Sequence, residues 1–455
     1  MKRIILRHGE ERRIALGHPW VYDNEIAQIL EGSGGSAEPA ELLPGETADV
    51  ETARRQYLGR AFVNPNSRIS ARIYSPSKEG VDMGFFKNRI RKAILRRGGY
   101  DLTRESARIV FAEADFLPAL IVDRFVGWPL DAVSALALAS PDRPLEFAAV
   151  HAALGAPQSW LSAQFLCWAV DQRREMILSA LEEVLSAPLA PGFEPLGAPS
   201  GIVEKSGAKV RELEGLPLRE CLARGSVPPS GIVIFENGFP FAVHLEEGQK
   251  TGHFLDQKEN RRRAAALLRR HVECGGASGG GKVLDVCSYT GGFGIHAAQV
   301  GAESVTCVDV SSAALQALEA NAALNGVSGR IKTAEADVFS YLPAMQRHKE
   351  RFDLIILDPP AFAKTKASLD SAIRGYKEIN MRAISLLAPG GILVTCSCSQ
   401  AVDESRFRRM VAEAAADVQR RLVQIDFRYQ AEDHPVLAGY DESLYLKCGF
   451  YQAVH

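Results

Sequence analysis

The chain has 455 residues, 46% hydrophobic and 24% charged, with a net charge of −2. That length exceeds one ordinary core and predicts two or three domains, and the even charge balance excludes a uniformly basic nucleic-acid coat, so a polyanion partner must meet a local patch. No apolar run approaches the roughly 20 residues of a membrane span, and the start MKRIILRHGEERR lacks the apolar stretch of a signal peptide; no membrane partner and a cytoplasmic location are therefore expected, with the eight cysteines as reduced thiols.

Residues 1–75 read as short strands and turns. TADVETA, YLGRAFVN and RISARIYS carry β-branched and aromatic residues between turn formers, and EGSGGSAEPAELLPGE (31–46) reads as a loop. A small β-barrel-like domain is expected. Residues 82–97 predict a helix with Phe86, Ile90, Ile94 and Leu95 near helical spacing. Lys87, Arg89, Arg91, Lys92, Arg96 and Arg97 make it basic, as either a solvated face or a phosphate-facing surface. LPALIVDRF then reads as a strand and REMILSALEEVLS as a helix, which makes 76–235 an α+β middle domain.

From 236 onward the pattern changes. KVLDV (282–286), SVTCVDV (304–310), FDLIILD (352–358) and GILVTCS (391–397) are short apolar runs separated by helical stretches. Alternating strands and helices predict an α/β fold with a parallel, doubly wound sheet. A late pair, LVQIDFRYQ and SLYLKCGFYQAV, suits an edge hairpin.

Ligands of such a sheet sit beyond the C-terminal strand ends. CSYTGGFG (287–294) follows the first strand, so Ser288, Tyr289, Thr290 and Gly291 are candidate cofactor contacts. Its glycines allow close backbone approach, and the helix behind favours negative charge. Asp309 ends the second strand, about 20 positions past the loop, where an acid takes ribose hydroxyls; it could instead cap the next helix, a role Ser311 and Ser312 can also fill. Asp337, in EADVF, is placed to bond an adenine amino group. Loop and acid together imply an adenosine-containing cofactor, NAD or S-adenosylmethionine. In DPPAF (358–362), Pro359 and Pro360 fix the backbone where a strand delivers Asp358. Phe362 can stack on a base. A rigid acidic corner suits a methyltransferase holding a base edge-on better than a dehydrogenase.

TCSCS (395–399) leaves Cys396 and Cys398 open between core filling and a nucleophile. A one-residue gap is too short for easy disulfide geometry. The other cysteines are scattered without a CxxC pair, so no metal is expected.

LEEGQKTGHFLDQKENR (245–261), VLDVCSYTGGFG, LDPPAF, GYKEIN, TCSCS and DHPV resemble the large-subunit (23S) rRNA cytosine-C5 methyltransferase I family. GHPWVYDNEIA (17–27) looks like its PUA start, and LPALIVDRF like its middle domain. The resemblance is dense from 204 onward and thin in 126–190. It implies a PUA-like RNA-binding domain (1–75), an α+β middle domain (76–235) and a Rossmann-like class I S-adenosylmethionine-dependent methyltransferase domain (236–455). It places Lys250, Thr251, Phe254, Asp256, Gln257 and Arg261 near the cofactor. His244 stands where the family usually has an acid.

The resemblance also implies a reaction. A thiolate adds to C6 of a cytosine and makes C5 a carbon nucleophile toward a methyl donor; loss of the C5 proton then expels the thiolate. Cys398 matches the family's cysteine, while Cys396 falls where an apolar or aromatic residue is common. The strand is expected to end near Thr395, leaving Cys398 in the loop. Asp358 would hold the base edge. Ala361 stands where the wider class has a second cysteine, so a single cysteine is implied. The C5 proton would go to His434 or a water. The implied partner is large-subunit rRNA with a cytosine out of its stack, gripped by the PUA-like domain with helix 82–97 as auxiliary. A homodimer is compatible with this. Three other readings stand beside it: methylation of a base nitrogen, a non-catalytic RNA-binding ribosome-assembly protein, and an NAD dehydrogenase.

Overall fold

The N-terminal sheet of the computed structural model, which describes residues 1–31, 38–139, 145–246, 253–276, 280–362 and 369–454, has seven strands. In spatial order they are Trp20–Tyr22, Ile69–Ser75, Tyr57–Val63, Thr47–Glu51, Lys2–Leu6, Ile26–Glu31 and Glu38–Pro39. Their inward positions, among them Ile4, Leu6, Val50, Ala61 and Val63, form a separate small core. These core positions recur at every second residue, as one face of a strand requires.

The middle domain backs a second sheet with helices Met83–Arg96 and Arg174–Leu185. Asp82 caps the first helix by accepting from the Phe85 N–H at 2.8 Å. Phe86, Ile90, Ala93 and Ile94 are buried beneath it. The phosphate-facing reading of this helix meets a different arrangement. Lys87 pairs with Glu183 and Arg89 with Glu79, while Arg96 and Arg97 both meet Asp115. Arg97 is buried, while Arg91 is half-buried and Lys92 exposed, so only part of the basic set is left facing outward. The sheet ends on the hairpin Ile232–Glu236 and Phe239–Val243, so it runs past the expected boundary at 235–236.

The C-terminal sheet positions the site. Its strands are β1 (Lys282–Val286), β2 (Ser304–Asp309), β3 (Ile331–Glu335), β4 (Phe352–Leu357), β5 (Leu387–Ser397), β6 (Arg421–Arg428) and β7 (Lys447–Val454). Their spatial order is β3-β2-β1-β4-β5-β7-β6. The first five are parallel, and β7 is antiparallel to both neighbours. The late pair is antiparallel and occupies one edge of the sheet, as expected, with β7 against β5 and β6 outermost. Helices α1 (Lys258–Glu273), α2 (Gly292–Gln299), α3 (Ser312–Leu324), α4 (Val338–Arg347), α5 (Leu369–Leu386) and α6 (Glu404–Asp417) cover both faces. Burial on both faces explains why β1, β4 and β5 read as mostly apolar runs rather than alternating ones. Among the described residues no helix is long and apolar enough to cross a membrane.

Buried polar links join the domains. Asn64 and Ser67 donate to the Glu214 carboxylate at 2.8 Å, and Arg72 meets it at 2.9 Å. Asp433 receives Lys258 Nζ and the Arg108 N–H, both at 3.0 Å, while its carbonyl accepts from Arg97.

Candidate active site

The crossover β1-α2 carries the glycine loop. Gly291 has φ +86, and a Cβ there would stand 2.6 Å from Leu318 Cγ. A Cβ on Gly292 would stand 2.4 Å from Arg261 Nε, so the backbone lies directly on the guanidinium. Cys287 and Tyr289 also adopt left-handed backbone, at φ 60 and 48. Non-glycine residues hold such geometry at a cost of about 1–3 kcal/mol, where surroundings enforce it and often where a ligand is gripped. Asp309 is part of the enforcement. Its Oδ2 accepts from the Tyr289 N–H at 2.9 Å and its Oδ1 from the Ser311 N–H at 3.0 Å. Ser311, not Asp309, caps α3, accepting from the Ala314 N–H. Ser288 is tied to the Val308 carbonyl, and the Thr290 carbonyl accepts from Asn321. Asp337 is exposed and caps α4 through the Phe339 N–H at 2.8 Å.

Beneath the loop, Arg261 Nη1 lies 2.9 Å from both oxygens of Glu236. Burial opposes charge on Glu236, but Arg261 and His253 outweigh it and hold the carboxyl well below the usual carboxylate range. Arg261 thus supports the loop from below.

The ends of β4 and β5 carry the acid and the cysteines. Asp358 accepts from Gln257 Nε2 at 3.0 Å. Burial, reinforced by the Asp256 carboxylate, raises Asp358 to about 6 against the opposing effects of Arg261, Gln257 and Cys396. Asp256 in turn accepts from the Tyr445 hydroxyl at 2.5 Å, and Phe254 meets the Tyr289 ring edge at 5.2 Å. Pro359 is buried and Pro360 exposed. Phe362 packs on Tyr376 with centroids 4.6 Å apart. Lys250 and Thr251 lie outside the described residues.

The two cysteines have different surroundings. β5 extends through Ser397, held by its pairing with Lys447 on β7, so the strand does not stop at Thr395. Cys396 is 0% exposed, and its Sγ lies 3.3 Å from Cys448 Sγ on the facing strand. Burial pushes its thiol well above the ordinary range. Cys398 is the first residue past the strand and is only half-buried. His434 is buried, 2.8 Å from Asp433 through Nδ1, and lies against Phe111. A cavity of about 390 Å³ opens between the three domains, lined by Trp20, Arg108, Phe254, Asp256, Gln400 and His434 among others.

Sequence reasoning missed several residues. Asp285 is buried with Oδ2 accepting from the Gly294 N–H at 2.8 Å and Oδ1 without a hydrogen-bond partner. Burial raises it to about 8; a charge within the apolar run KVLDV was the available signal. Val310 and Phe339 are 66% and 46% exposed, each next to or two positions past a candidate nucleoside-binding acid. Glu236 carried no signal, because its partner Arg261 is 25 positions away.

These features fit an adenosyl cofactor: a cradle that a side chain would fill, a strained loop anchored by Asp309, and exposed apolar side chains beside the acids. The class defined is an S-adenosylmethionine-dependent methyltransferase with a PUA-like domain. Residues 217–448 match the family described as S-adenosylmethionine-dependent methyltransferase, and residues 4–76 match a PUA-like domain. Curated relatives named ribosomal RNA large subunit methyltransferase I include that of Shewanella denitrificans, 36% identical over 98% of both chains, and that of Erwinia tasmaniensis, 34% identical over 98% of both. The crystal structure of SMU.776, complexed with SAH, has a TM-score of 0.74 at 20% identity, covering 99% of this chain and 100% of that one. The chain belongs to the ribosomal RNA large subunit methyltransferase I family. Its cofactor is S-adenosylmethionine, which sets the NAD reading aside.

Proposed function

We propose that this protein methylates C5 of a cytosine in large-subunit (23S) rRNA through a covalent adduct between Cys398 and C6. The names of its relatives support the RNA class. The observation that carries the chemistry is the contrast between the two cysteines at the end of β5: Cys396 is sealed against Cys448, whereas Cys398 is half-buried at the strand mouth. A nucleophile must reach its substrate as a thiolate.

Bound S-adenosylmethionine supplies an electrophilic methyl group. Lys250, Thr251, Phe254, Asp256, Gln257, Ser288, Tyr289, Thr290, Gly291, Asp309 and Asp337 are assigned to holding it, with Arg261 acting through the loop. Cys398 Sγ adds to C6 and places electron density on C5. Asp358, raised to about 6, is partly protonated near neutrality and can hydrogen-bond the N3/N4 edge as negative charge develops. Pro359 and Pro360 fix that carboxyl, and Phe362 offers a ring face to the base. After methylation the C5 proton leaves and the C6–S bond breaks. The C5 proton goes to His434, whose Nδ1 is held by Asp433 and which lines the cavity, or to a water.

Mass spectrometry of rRNA digests from cells lacking the protein tests this. Loss of 5-methylcytidine at one position of the large-subunit rRNA is expected. Unchanged 5-methylcytidine, or loss of an N-methylated base instead, would overturn it.

A further inference from the structure

β7 contributes a cation to the cysteine site that no sequence motif marks. Lys447 is 3% exposed. Its Nζ donates to the Ser399 carbonyl at 2.8 Å and to the Tyr445 carbonyl at 2.9 Å. Its backbone pairs with Ser397. The lysine is therefore tied to both residues flanking Cys398, by backbone on one side and by ammonium on the other. A buried ammonium is costly without a negative partner, and two carbonyls supply only dipoles.

We propose that Lys447 is a positioning residue for Cys398: its ammonium stabilises the thiolate and so sets the fraction of reactive nucleophile at neutral pH. Rules of charge support the pairing. An ammonium close to a thiol favours the ionised sulfur, and the thiolate favours the charged lysine. Burial lowers Lys447 to about 8, with Cys398 and Asp403 acting in the opposite direction. Cys398 and Asp403 are the anionic groups that act on it. Tyr376 on α5 also faces Cys398, and its own pKa is raised chiefly by burial, so it stays neutral at these pH values. Asp256 and Asp433 act on Tyr445, one step removed. As pH rises through the lysine's range the ammonium is lost, and thiolate stabilisation goes with it.

This inference rests on Cys398 being the nucleophile, but its test needs no RNA. The pH dependence of Cys398 alkylation by iodoacetamide, read on the Cys398 peptide by mass spectrometry, reports the thiol directly. In full-length Lys447→Met the midpoint should rise by about one pH unit or more, while Lys447→Arg should stay near the native midpoint. S-adenosylmethionine binding should persist in both, which separates electrostatics from misfolding. An unchanged midpoint in a folded Lys447→Met would overturn the inference. If instead the midpoint shifts but Cys398→Ala still methylates rRNA, the functional reading fails and the electrostatic one stands. If Lys447→Met does not fold, Lys447→Gln serves in the same assay with the same outcomes.

Discussion

At the residue scale, the two cysteines make opposite predictions. Cys398→Ala should abolish turnover while leaving S-adenosylmethionine affinity intact. Cys396→Ala should keep turnover and lose stability by about 1–2 kcal/mol, the cost of removing a small buried group. Activity on rRNA and denaturant midpoints measure both; active Cys398→Ala protein would contradict the assignment. Asp285 carries a second prediction at this scale. Its folded pKa lies near 8, above its ordinary 3.8. A raised carboxyl contributes stability below the unfolded value and loses it as pH rises through the folded one. Asp285→Asn should therefore gain on the native protein by up to about 1.4 kcal/mol per pH unit between those values, then level off. Denaturant midpoints at a series of pH values would show it. Asp309 and Asp358 were legible because each ends an apolar strand, where a charge is out of place in a core. The distinction between Cys396 and Cys398 was legible only as a resemblance. Burial against Cys448, 52 positions away, is a long-range fact no local pattern records.

At the scale of elements, the turn from β1 into α2 is proposed to hold the cofactor through its left-handed backbone geometry. Gly291→Ala would place a Cβ at φ +86 and against Leu318. The backbone cost alone is about 1–2 kcal/mol. Calorimetric affinity for S-adenosylmethionine should fall by roughly tenfold or more, which corresponds to ~1.4 kcal/mol; unchanged affinity would show that the loop does not grip the ligand. The strands of the C-terminal sheet were readable because burial on both faces writes itself as apolar runs. The place of β7 was not. LYLKCGFYQAV marks a strand, but its insertion between β5 and β6 depends on pairing across 50 to 60 positions. The end of β5 was set too early because Ser397 looks like a loop residue in isolation, whereas pairing to Lys447 extends the strand.

At the scale of the whole molecule, three domains are joined by buried charges. Glu214 takes donors from Asn64, Ser67 and Arg72 of the N-terminal domain. Glu214→Ala would leave Arg72 with Glu113 as its one remaining carboxylate and take away the acceptor of the buried Ser67 hydroxyl, at a cost of about 1–3 kcal/mol. Thermal unfolding should fall accordingly, and limited proteolysis should accelerate between Ser75 and Met83, where the first domain joins the second. Native-like stability would mean these links are dispensable. None of these contacts was legible beforehand, because a basic stretch such as 82–97 looks identical whether its charges face phosphate or an internal carboxylate. Arg97 contacts Asp115 and the Asp433 carbonyl, the latter 336 positions away. The proposed reaction turns on one chemical event, addition of Cys398 to a cytosine. The direct measurement is covalent trapping on rRNA carrying 5-fluorocytidine, whose C5 fluorine cannot leave as a proton. With S-adenosylmethionine present, a denaturation-resistant protein–RNA complex should form, persist in Cys396→Ala and vanish in Cys398→Ala. A complex that survives Cys398→Ala, or none with the native protein, would contradict the account.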